Sequence, residues 1–477
     1  MATGLLLQVP RDIVGTTMKS QQLRASYIAD AAIRDTRAWM GHELSLGNEP
    51  CTISDPTPLR TGTLGDYTWT VLVEPDSGTP PNSTTNLRLY KLTATALLNG
   101  DPVYEIVADV QSGQSFARFS MFIEDDDPSL WDYAVSSHME VTGPVHKNGA
   151  IRFLVMSGFF SGPPPTNKPF NGTVSTSQSS NVWSTTPTAA QYDYVFENGL
   201  SDVRFDAPQK PLPNDASILA TAAYGTSVPA TPPPGVTVNA TGGIFVNGDV
   251  DSMVMEVNGS GNFQLTITQG ADVTVVEEDA GSGSRVVTMP DGSVSTVTGR
   301  GNGVVFATGS IEELSGENKG AHTIAVDFDA GSDIQIAGSL TRSDTALGDK
   351  PTVTDDRLGL VAEHVYVAPE SILPRNVASP LYVYATILAT QRFEVKNAGS
   401  GSPGALAIFG GVAGRTTWRV ANINLSTGQA VTGYGGLTGY GTPALHYDEL
   451  LANEPPPEYP TTAETEMTVR SWRERPL

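Results

Sequence analysis

Hydrophobic positions in the first fifty residues recur at the spacing of an α-helix. Residues 11–46 contain no proline, and the recurring apolar positions are Val14, Met18, Ala25, Ile28, Ala32 and Trp39. The opposite side would carry the charged residues Lys19, Arg24, Asp30, Arg34 and Arg37. This pattern predicts an amphipathic helix over residues 11–46, within an N-terminal segment of residues 1–46, and such a helix needs an apolar surface to lie on.

After the helix, the pattern changes from helical to alternating. From about Asp66 to Glu124, segments such as YTWTVLVEP and FARFSMFIE alternate apolar with polar residues between turn-forming residues. A period of two is typical of strands that bury one face. We therefore predict that residues 47–142 form an antiparallel meander and that the helix packs on it.

Short apolar segments that end in glycine characterise the rest of the chain. Residues 143–240 are predicted to hold the first coils, with exposed Pro-, Ser- and Thr-rich loops over 161–240, and 241–432 to hold further strands. The candidate corners are Gly149, Gly248, Gly309, Gly338 and Gly410. Strands joined by tight corners suit a parallel β-solenoid, although a β-sandwich with glycine turns gives the same pattern. Residues 433–477 are predicted to be a tail whose last run can return as an edge strand.

Composition and charge narrow the class of protein. Of the 477 residues, 48 are Gly and 34 are Pro, which disfavours long helical bundles because both residues break helices. The formal net charge of −23 repels phosphate and argues against a DNA-coating role. Cys51 is the single cysteine, so no intrachain disulfide can form.

The segment QQLRASYIADAAIRDTRAWM (21–40) resembles the helix after the membrane anchor of large minor pilins and type II secretion pseudopilins. The shared pattern falls on Arg24, Tyr27, Ala29, Asp30, Ala31 and Ala32. The resemblance implies an exported structural or adhesive component of a type IV pilus or related filament at the bacterial cell surface, with other pilins or pseudopilins as partners. The residues it suggests for filament packing are Tyr27, Ile28, Ala31, Ala32 and Trp39. Since the prepilin leader and most of the anchor are lacking, contact with the inner membrane would need an N-terminal segment missing from this chain.

Seven segments resemble, in order, the bacterial surface family DUF4900. They are SFARFSMFIEDDDPSLW, GPVHKNGAIRF, GGIFVNGDV, GNGVVFATGSI, DDRLGLVAEHVYV, LYVYATILA and GYGTPALHYDELLANEPPPEYP. That family is similar to large competence-associated pilins in which a β-solenoid is inserted into a pilin fold. The resemblance therefore implies a mainly β chain with an irregular solenoid. It also gives a second hypothesis, a pilus-tip DNA receptor for natural transformation.

Arginines interleaved with tryptophan are the candidate DNA contacts, because guanidinium groups bind phosphate and aromatic rings stack on bases. These residues are Arg415, Arg419, Arg470, Trp472, Arg473 and Arg475. Five arginines in a strongly acidic chain are weak support without the resemblance.

Carboxylates give the one candidate metal site. Asp327, Asp329 and Asp333 lie in DFDAGSD, where alternate side chains and backbone carbonyls could surround Ca²⁺, although the spacing is not that of an EF-hand. A solvated acidic turn explains the same residues. No other cofactor is predicted.

The sequence holds no G-x-S-x-G turn, HExxH pair or phosphate-binding loop, and we predict that the chain is not an enzyme. The third hypothesis is a glycan-active solenoid enzyme, for which Asp355, Asp356 and Arg357 are the first residues to test. Surface glycan thus stands beside DNA as a candidate ligand.

Overall fold

The computed structural model describes residues 2–45, 60–75, 88–113, 115–125, 132–135, 140–155, 158–279, 283–328, 331–353, 355–369, 373, 380–396, 404–416, 440–452, 454–462 and 467–477. The chain divides into two compact units. Unit 1 comprises Met1–Gln114 and Thr461–Leu477, and unit 2 comprises Ser115–Pro460. Unit 2 is thus an insertion in the sequence of unit 1.

Unit 1 is a helix packed on an antiparallel sheet. Its elements are helix α1 (Ala2–Ser45) and strands β1 (Arg60–Leu64), β2 (Tyr67–Pro75), β3 (Arg88–Leu98), β4 (Asp101–Ser112) and β31 (Met467–Pro476). The five strands lie in the order β1, β2, β3, β4 and β31 across the sheet. The last run of the chain therefore forms an edge strand beside β4.

The core of unit 1 follows from the two periodicities of its sequence. Ala25, Ala29 and Ala32 of α1 have no exposed surface, and they pack on alternate residues of the sheet such as Val71 and Leu92. Small side chains allow the helix to approach the sheet closely. The predicted amphipathic helix on an antiparallel meander is confirmed, and the helix begins at Ala2 rather than at residue 11.

One segment of the predicted meander does not belong to it. The consecutive antiparallel strands end at Ser112, whereas FARFSMFIE forms a 3₁₀ turn (Phe116–Arg118) and strand β5 (Met121–Ile123) of unit 2. Met121, Phe122 and Ile123 are all buried, so this strand has two covered faces instead of one. The sequence-based assignment of 47–142 to one meander is therefore wrong for the described residues from Ser115 to Thr142.

Unit 2 is a mainly parallel β structure. Its short helices are α2 (Tyr192–Val195) and α3 (Ser217–Tyr224). Its strands after β5 are β6 (Tyr133–Val135), β7 (Glu140–Thr142), β8 (Val145–Lys147), β9 (Arg152–Val155), β10 (Phe170–Asn171), β11 (Val174–Thr176), β12 (Val182–Trp183), β13 (Val203–Arg204), β14 (Gly235–Val238), β15 (Ile244–Asn247), β16 (Ser252–Val257), β17 (Phe263–Gln269), β18 (Asp272–Asp279), β19 (Ser284–Thr288), β20 (Val294–Val297), β21 (Val304–Ala307), β22 (Ile311–Asn318), β23 (Ala321–Val326), β24 (Asp333–Arg342), β25 (Arg357–Val367), β26 (Leu381–Val383), β27 (Thr386–Val395), β28 (Gly404–Phe409), β29 (Gly411–Gly414) and β30 (Tyr440–His446).

The coils of unit 2 stack in register. Among the described residues, ten strands pair in parallel in the order β15, β21, β23, β25, β27, β29, β5, β8, β11 and β13. One row of inward side chains runs through all of them: Ile244, Val305, Ile324, Leu360, Ile387, Val412, Met121, Val145, Val174 and Val203. The predicted irregular parallel β-solenoid, rather than a sandwich, is confirmed.

The order of the coils differs from their order in the sequence. Strand β29 pairs with β5 and β30 pairs with β7, so the chain enters the stack in its middle. It first runs to the end of the stack at β13, and then continues through α3 to the other end at β15. From there it winds back until its last coil lies beside its first. Entry and exit of the insertion are therefore neighbours.

A second row of side chains points outward from the same strands and is also buried. It contains Phe245, Phe306, Ala325, Val361, Leu388, Ala413, Phe122 and His146. Leu219 and Ala223 of α3 cover this row together with Leu451 and Tyr459.

Residues 161–240 were predicted to be exposed loops, but Phe170 and Phe196 from this range belong to the core of unit 2. The prediction is therefore wrong for these two residues. Their aromatic rings lie 5.6 Å apart between coils.

The predicted glycine corners occupy bends with different backbone demands. Gly248 and Gly410 have φ of 111° and 151°, which L-residues rarely adopt. Gly338 lies inside β24, between the stretch that pairs with β25 and Leu340, which pairs with β26. Corners at these glycines are thus bends between neighbouring sides of one coil.

Candidate functional site

The five predicted filament-packing residues divide between two sides of α1. Ile28 is 6% exposed and Ala32 is fully buried, both against the sheet of unit 1. Trp39 is partly buried in the same core. Tyr27, in contrast, is 67% exposed, and Ala31 is exposed as well. Three of the five therefore pack within the chain and two remain available to a neighbour.

Leu23 extends this exposed side by one helical turn. Its side chain is 58% exposed, although it is a large aliphatic residue. Leu23, Tyr27 and Ala31 are spaced by four residues, so they line up along one side of the helix, and we call them the exposed strip. Sequence analysis did not single out Leu23, although its position four residues before Tyr27 was the available signal.

The candidate DNA-binding arginines whose side chains the structure describes each lie near a carboxylate of their own chain. Arg473 and Arg475 on β31 lie 3.9 and 2.8 Å from Asp109 and Glu105 of β4. In unit 2, Arg415 Nε lies 3.2 Å from Glu124. These pairs lower the positive charge that phosphates would meet. Arg419 and the side chain of Arg470 lie outside the described residues.

Trp472 belongs to the same strand and is also engaged. Its Nε1 donates to Glu474 Oε1 at 2.8 Å, and Tyr104 Oη donates to the other oxygen at 2.6 Å. The hydrogen bond with Glu474, helped by burial, raises the pKa of Tyr104 to about 12. The indole is thus held along β31 by a polar network that links β31 to β4.

The structure describes two of the three predicted calcium ligands, Asp327 and Asp333. Asp333 Oδ1 lies 3.1 Å from His364 Nδ1 on the neighbouring coil, and the Asp327 backbone amide donates to Ala307. Asp329 lies outside the described residues. Within the described part of the chain, no group of three or more His, Cys, Asp or Glu side chains is placed to hold a metal ion. Calcium binding stays a prediction.

Unit 2 contains a cavity of about 620 Å³ at one edge of its coils, and most of the residues that line it are charged or polar. Three turns that precede successive parallel strands form its floor: Arg300–Gly303 before β21, Lys319 and Gly320 before β23, and Asp355 and Asp356 before β25. Parallel pairing of β21, β23 and β25 brings these turns together, because neighbouring strands lie about 4.8 Å apart. We call it the coil-edge pocket.

The antiparallel strands β18 and β19 supply one wall of the coil-edge pocket through Glu278 and Arg285. Arg285 is 1% exposed, and its guanidinium donates to the carbonyls of Asn239, Gly242 and Gly243. Burial lowers the pKa of Arg285, and the charge of Glu278 offsets part of that shift. A cation is therefore held rigidly at the wall.

Glu278 is fixed from the other side by His322. The two side chains lie 3.6 Å apart, the His322 ring stacks on Phe263 at 4.2 Å, and its Nδ1 lies 2.8 Å from Asn318 Oδ1. Burial raises the pKa of Glu278, but the neighbouring His322 and the charges of Arg285 and Arg300 outweigh burial. The net pKa is lowered, so this carboxylate is ionised near neutral pH.

The first residues suggested for a glycan-active enzyme, Asp355, Asp356 and Arg357, all line this pocket. Asp356 is buried and accepts hydrogen bonds from Gly320 N at 2.6 Å and from Ser343 Oγ at 2.7 Å, so it fixes the turns. Arg357 donates to Glu454 at 2.8 Å, and Asp355 is exposed. These contacts assign Asp356 a structural role.

Most of the coil-edge pocket was not predicted from the sequence. The residues missed are Glu278, Arg285, Arg300, Lys319 and His322. For Arg300 and Lys319 the available signal was a charge shortly before a strand, in a chain with only 17% charged residues. Periodicity alone cannot show which turns become neighbours.

Comparison of the chain with protein-family models, curated proteins and solved structures finds no match. The resemblances to pilins and to DUF4900 therefore stay expectations from the sequence. No helix among the described residues is long and apolar enough to cross a membrane.

Proposed function

We propose that this chain is an exported, pilin-like structural or adhesive component of a type IV pilus or related secretion filament at the bacterial cell surface. In this role α1 docks beside neighbouring pilin helices, and the β-solenoid is the displayed part. The observation that carries the proposal is the exposed strip of Leu23, Tyr27 and Ala31 on a helix whose other side is already buried in its own sheet.

A filament subunit must make two sets of helix contacts, one within its own fold and one with its neighbours. Ile28 and Ala32 make the first set, and the exposed strip is suited to the second. Burial of a leucine or an aromatic side chain stabilises a contact by about 1.5–3 kcal/mol. Each neighbour would therefore add a few kcal/mol, which repeated packing along a filament multiplies.

The topology of the insertion supports a display role. Unit 2 begins after β4 and ends before β31, and β4 and β31 are paired strands of one sheet. Within unit 2 the entering strand β5 and the returning strand β29 are also paired. A large solenoid can therefore be inserted without interrupting either core.

The test is incorporation into filaments in the cells that produce the chain. Tyr27→Glu and Leu23→Glu should leave the thermal unfolding of the purified chain nearly unchanged, because both residues are exposed. The same variants should be lost from the sheared filament fraction. Leu200→Glu is the matched control, since Leu200 is a 50% exposed leucine in unit 2. Normal incorporation of the strip variants would refute the proposal.

The DNA receptor and the glycan-active enzyme stay hypotheses, because no described contact favours either. The DNA hypothesis predicts a salt-dependent mobility shift that disappears when Arg470, Arg473 and Arg475 are replaced by alanine. The absence of a shift at low salt would end it.

A further inference from the structure

We propose that the coil-edge pocket binds a neutral, hydroxyl-rich ligand, namely a sugar residue of a surface polysaccharide. The proposal is independent of filament docking, because it concerns only residues of unit 2. A cavity of about 620 Å³ is within the roughly 300–1,000 Å³ that is usual for small-molecule sites.

The charge of the pocket differs from that of the chain. Its lining includes four cationic residues, Arg285, Arg300, Lys319 and Arg357, and five carboxylates, Glu278, Asp279, Asp355, Asp356 and Glu454. The whole chain has 28 basic and 51 acidic residues. The pocket is therefore richer in basic side chains than the whole chain, and its basic and acidic residues are nearly equal in number. This balance disfavours a strongly charged ligand of either sign.

The positions of the charged groups in the coil-edge pocket also favour a neutral ligand. An anion entering the pocket would lie near the carboxylate of Glu278, and a cation would lie near Arg300 and Lys319. Each would lose affinity through these like-charge contacts. A hydroxyl group avoids both costs, because it donates one hydrogen bond to a carboxylate and accepts others from guanidinium groups.

Polar groups that can reach a ligand lie where the coil-edge pocket opens. Arg300 and Asp355 are exposed and add one donor and one acceptor where the pocket opens. The vicinal hydroxyls of a sugar match this mixture of donors and acceptors.

The polar groups are also held in place before a ligand arrives. Carbonyls of Asn239, Gly242 and Gly243 fix Arg285, and His322 fixes Glu278. Rigid groups lose little conformational freedom on binding, which favours recognition of a small polar ligand. Pro457 adds apolar surface for the C–H side of a sugar ring.

The test compares sugars that differ only in charge. Galactose, glucose and mannose, together with their uronates and their 2-amino forms, are titrated into the purified full chain, and saturation-transfer NMR measures binding. At least one neutral sugar should bind with a Kd in the millimolar range, about 4 kcal/mol of affinity. Its uronate and its amino form should each bind about tenfold more weakly.

Variants locate the site on the chain. Arg300→Gln should weaken the binding of that sugar at least fivefold without unfolding the chain, because Arg300 is exposed. Arg204→Gln is the matched control, an exposed arginine of unit 2 outside the pocket, and should have no effect. Tyr27→Glu should also leave sugar binding unchanged, which separates this proposal from filament docking.

Three results would overturn the proposal. They are no binding of any neutral sugar up to about 50 mM, tightest binding of a uronate or amino sugar, and binding that Arg300→Gln leaves unchanged. The first removes the ligand class, the second removes the neutrality argument, and the third places the site elsewhere.

Discussion

The buried ion pair between Lys147 and Asp132 tests how the coils of unit 2 are held together. Lys147 Nζ lies 2.9 and 2.7 Å from the two Asp132 carboxylate oxygens, and the side chains are only 1% and 2% exposed. Lys147 pairs in register with Ile123 on one neighbouring strand and with Thr176 on the other. A charged side chain is thus buried between neighbouring coils of the stack.

The cost of breaking the pair follows from this burial. In Lys147→Met the Asp132 carboxylate stays buried and loses the Lys147 ammonium group, whereas Arg152 N still donates to it at 2.8 Å. Removal of one partner of a buried pair costs about 3–5 kcal/mol. Asp132→Asn should cost a similar amount, because it leaves the ammonium group buried. The double variant removes both charges and keeps an acceptor for Arg152 N, so it should cost about 2 kcal/mol or less.

The measurement is native-state hydrogen exchange of the amides in β5 and β8, with urea unfolding as an independent readout. The double-mutant cycle should give a coupling of at least about 2 kcal/mol. Lys91→Met is the control, because the Lys91–Glu74 pair of unit 1 is exposed (45% and 35%) and should contribute less than about 1 kcal/mol. If the two single changes simply add in the double variant, the reasoning is wrong.

Three further outcomes follow from the structure. Burial lowers the pKa of His146 from 6.5 to about 4, so this histidine is protonated at a higher pH in the unfolded chain than in the folded chain. The free energy of unfolding should therefore fall as the pH drops from about 6.5 to about 4, by at most about 3 kcal/mol. His146→Gln should flatten this part of the pH dependence of urea unfolding, and an unchanged slope would contradict it. Gly410→Ala should cost at least about 2 kcal/mol in urea unfolding, because a Cβ would collide with the Ala385 carbonyl at positive φ, whereas Gly259→Ala has open space and should be near neutral. Ile28→Asp should expose the amides of unit 1 to hydrogen exchange and leave those of unit 2 protected, and equal loss in both units would contradict it.

Sequence periodicity predicted most of unit 1. The helical spacing placed Ile28 and Ala32 on the apolar stripe, and alternation identified β2, β3 and β4. Tyr27 and Ala31 were grouped with them because the pilin pattern includes both, yet successive helical residues point about 100° apart. The side of the helix that each residue occupies followed only from the position of the sheet.

For unit 2 the sequence predicted the type of structure and not its arrangement. Glycine after short apolar strands indicated stacked coils, as observed. No local pattern could show that Met121 lies beside Val412, because pairing across such a separation depends on the global order of the coils. The coil-edge pocket follows from the same order, since its floor comes from turns of three successive coils.

The order of the coils also explains why the chain needs a long connection, the segment from Phe205 to Pro234, between the two ends of the stack. Strands β13 and β15 are nine steps apart in the ten-strand row, about 43 Å at about 4.8 Å per step. The segment has 30 residues, of which the eight in α3 rise about 12 Å, and the others can extend about 3.3 Å each, so it spans the distance with slack. Its Leu212, Leu219 and Ala223 are buried on the outward row of the coils. The segment that crosses between the two ends of the stack therefore covers the outward row, which contains Phe245 and Phe306. Because this row is covered, these strands can be apolar on both faces.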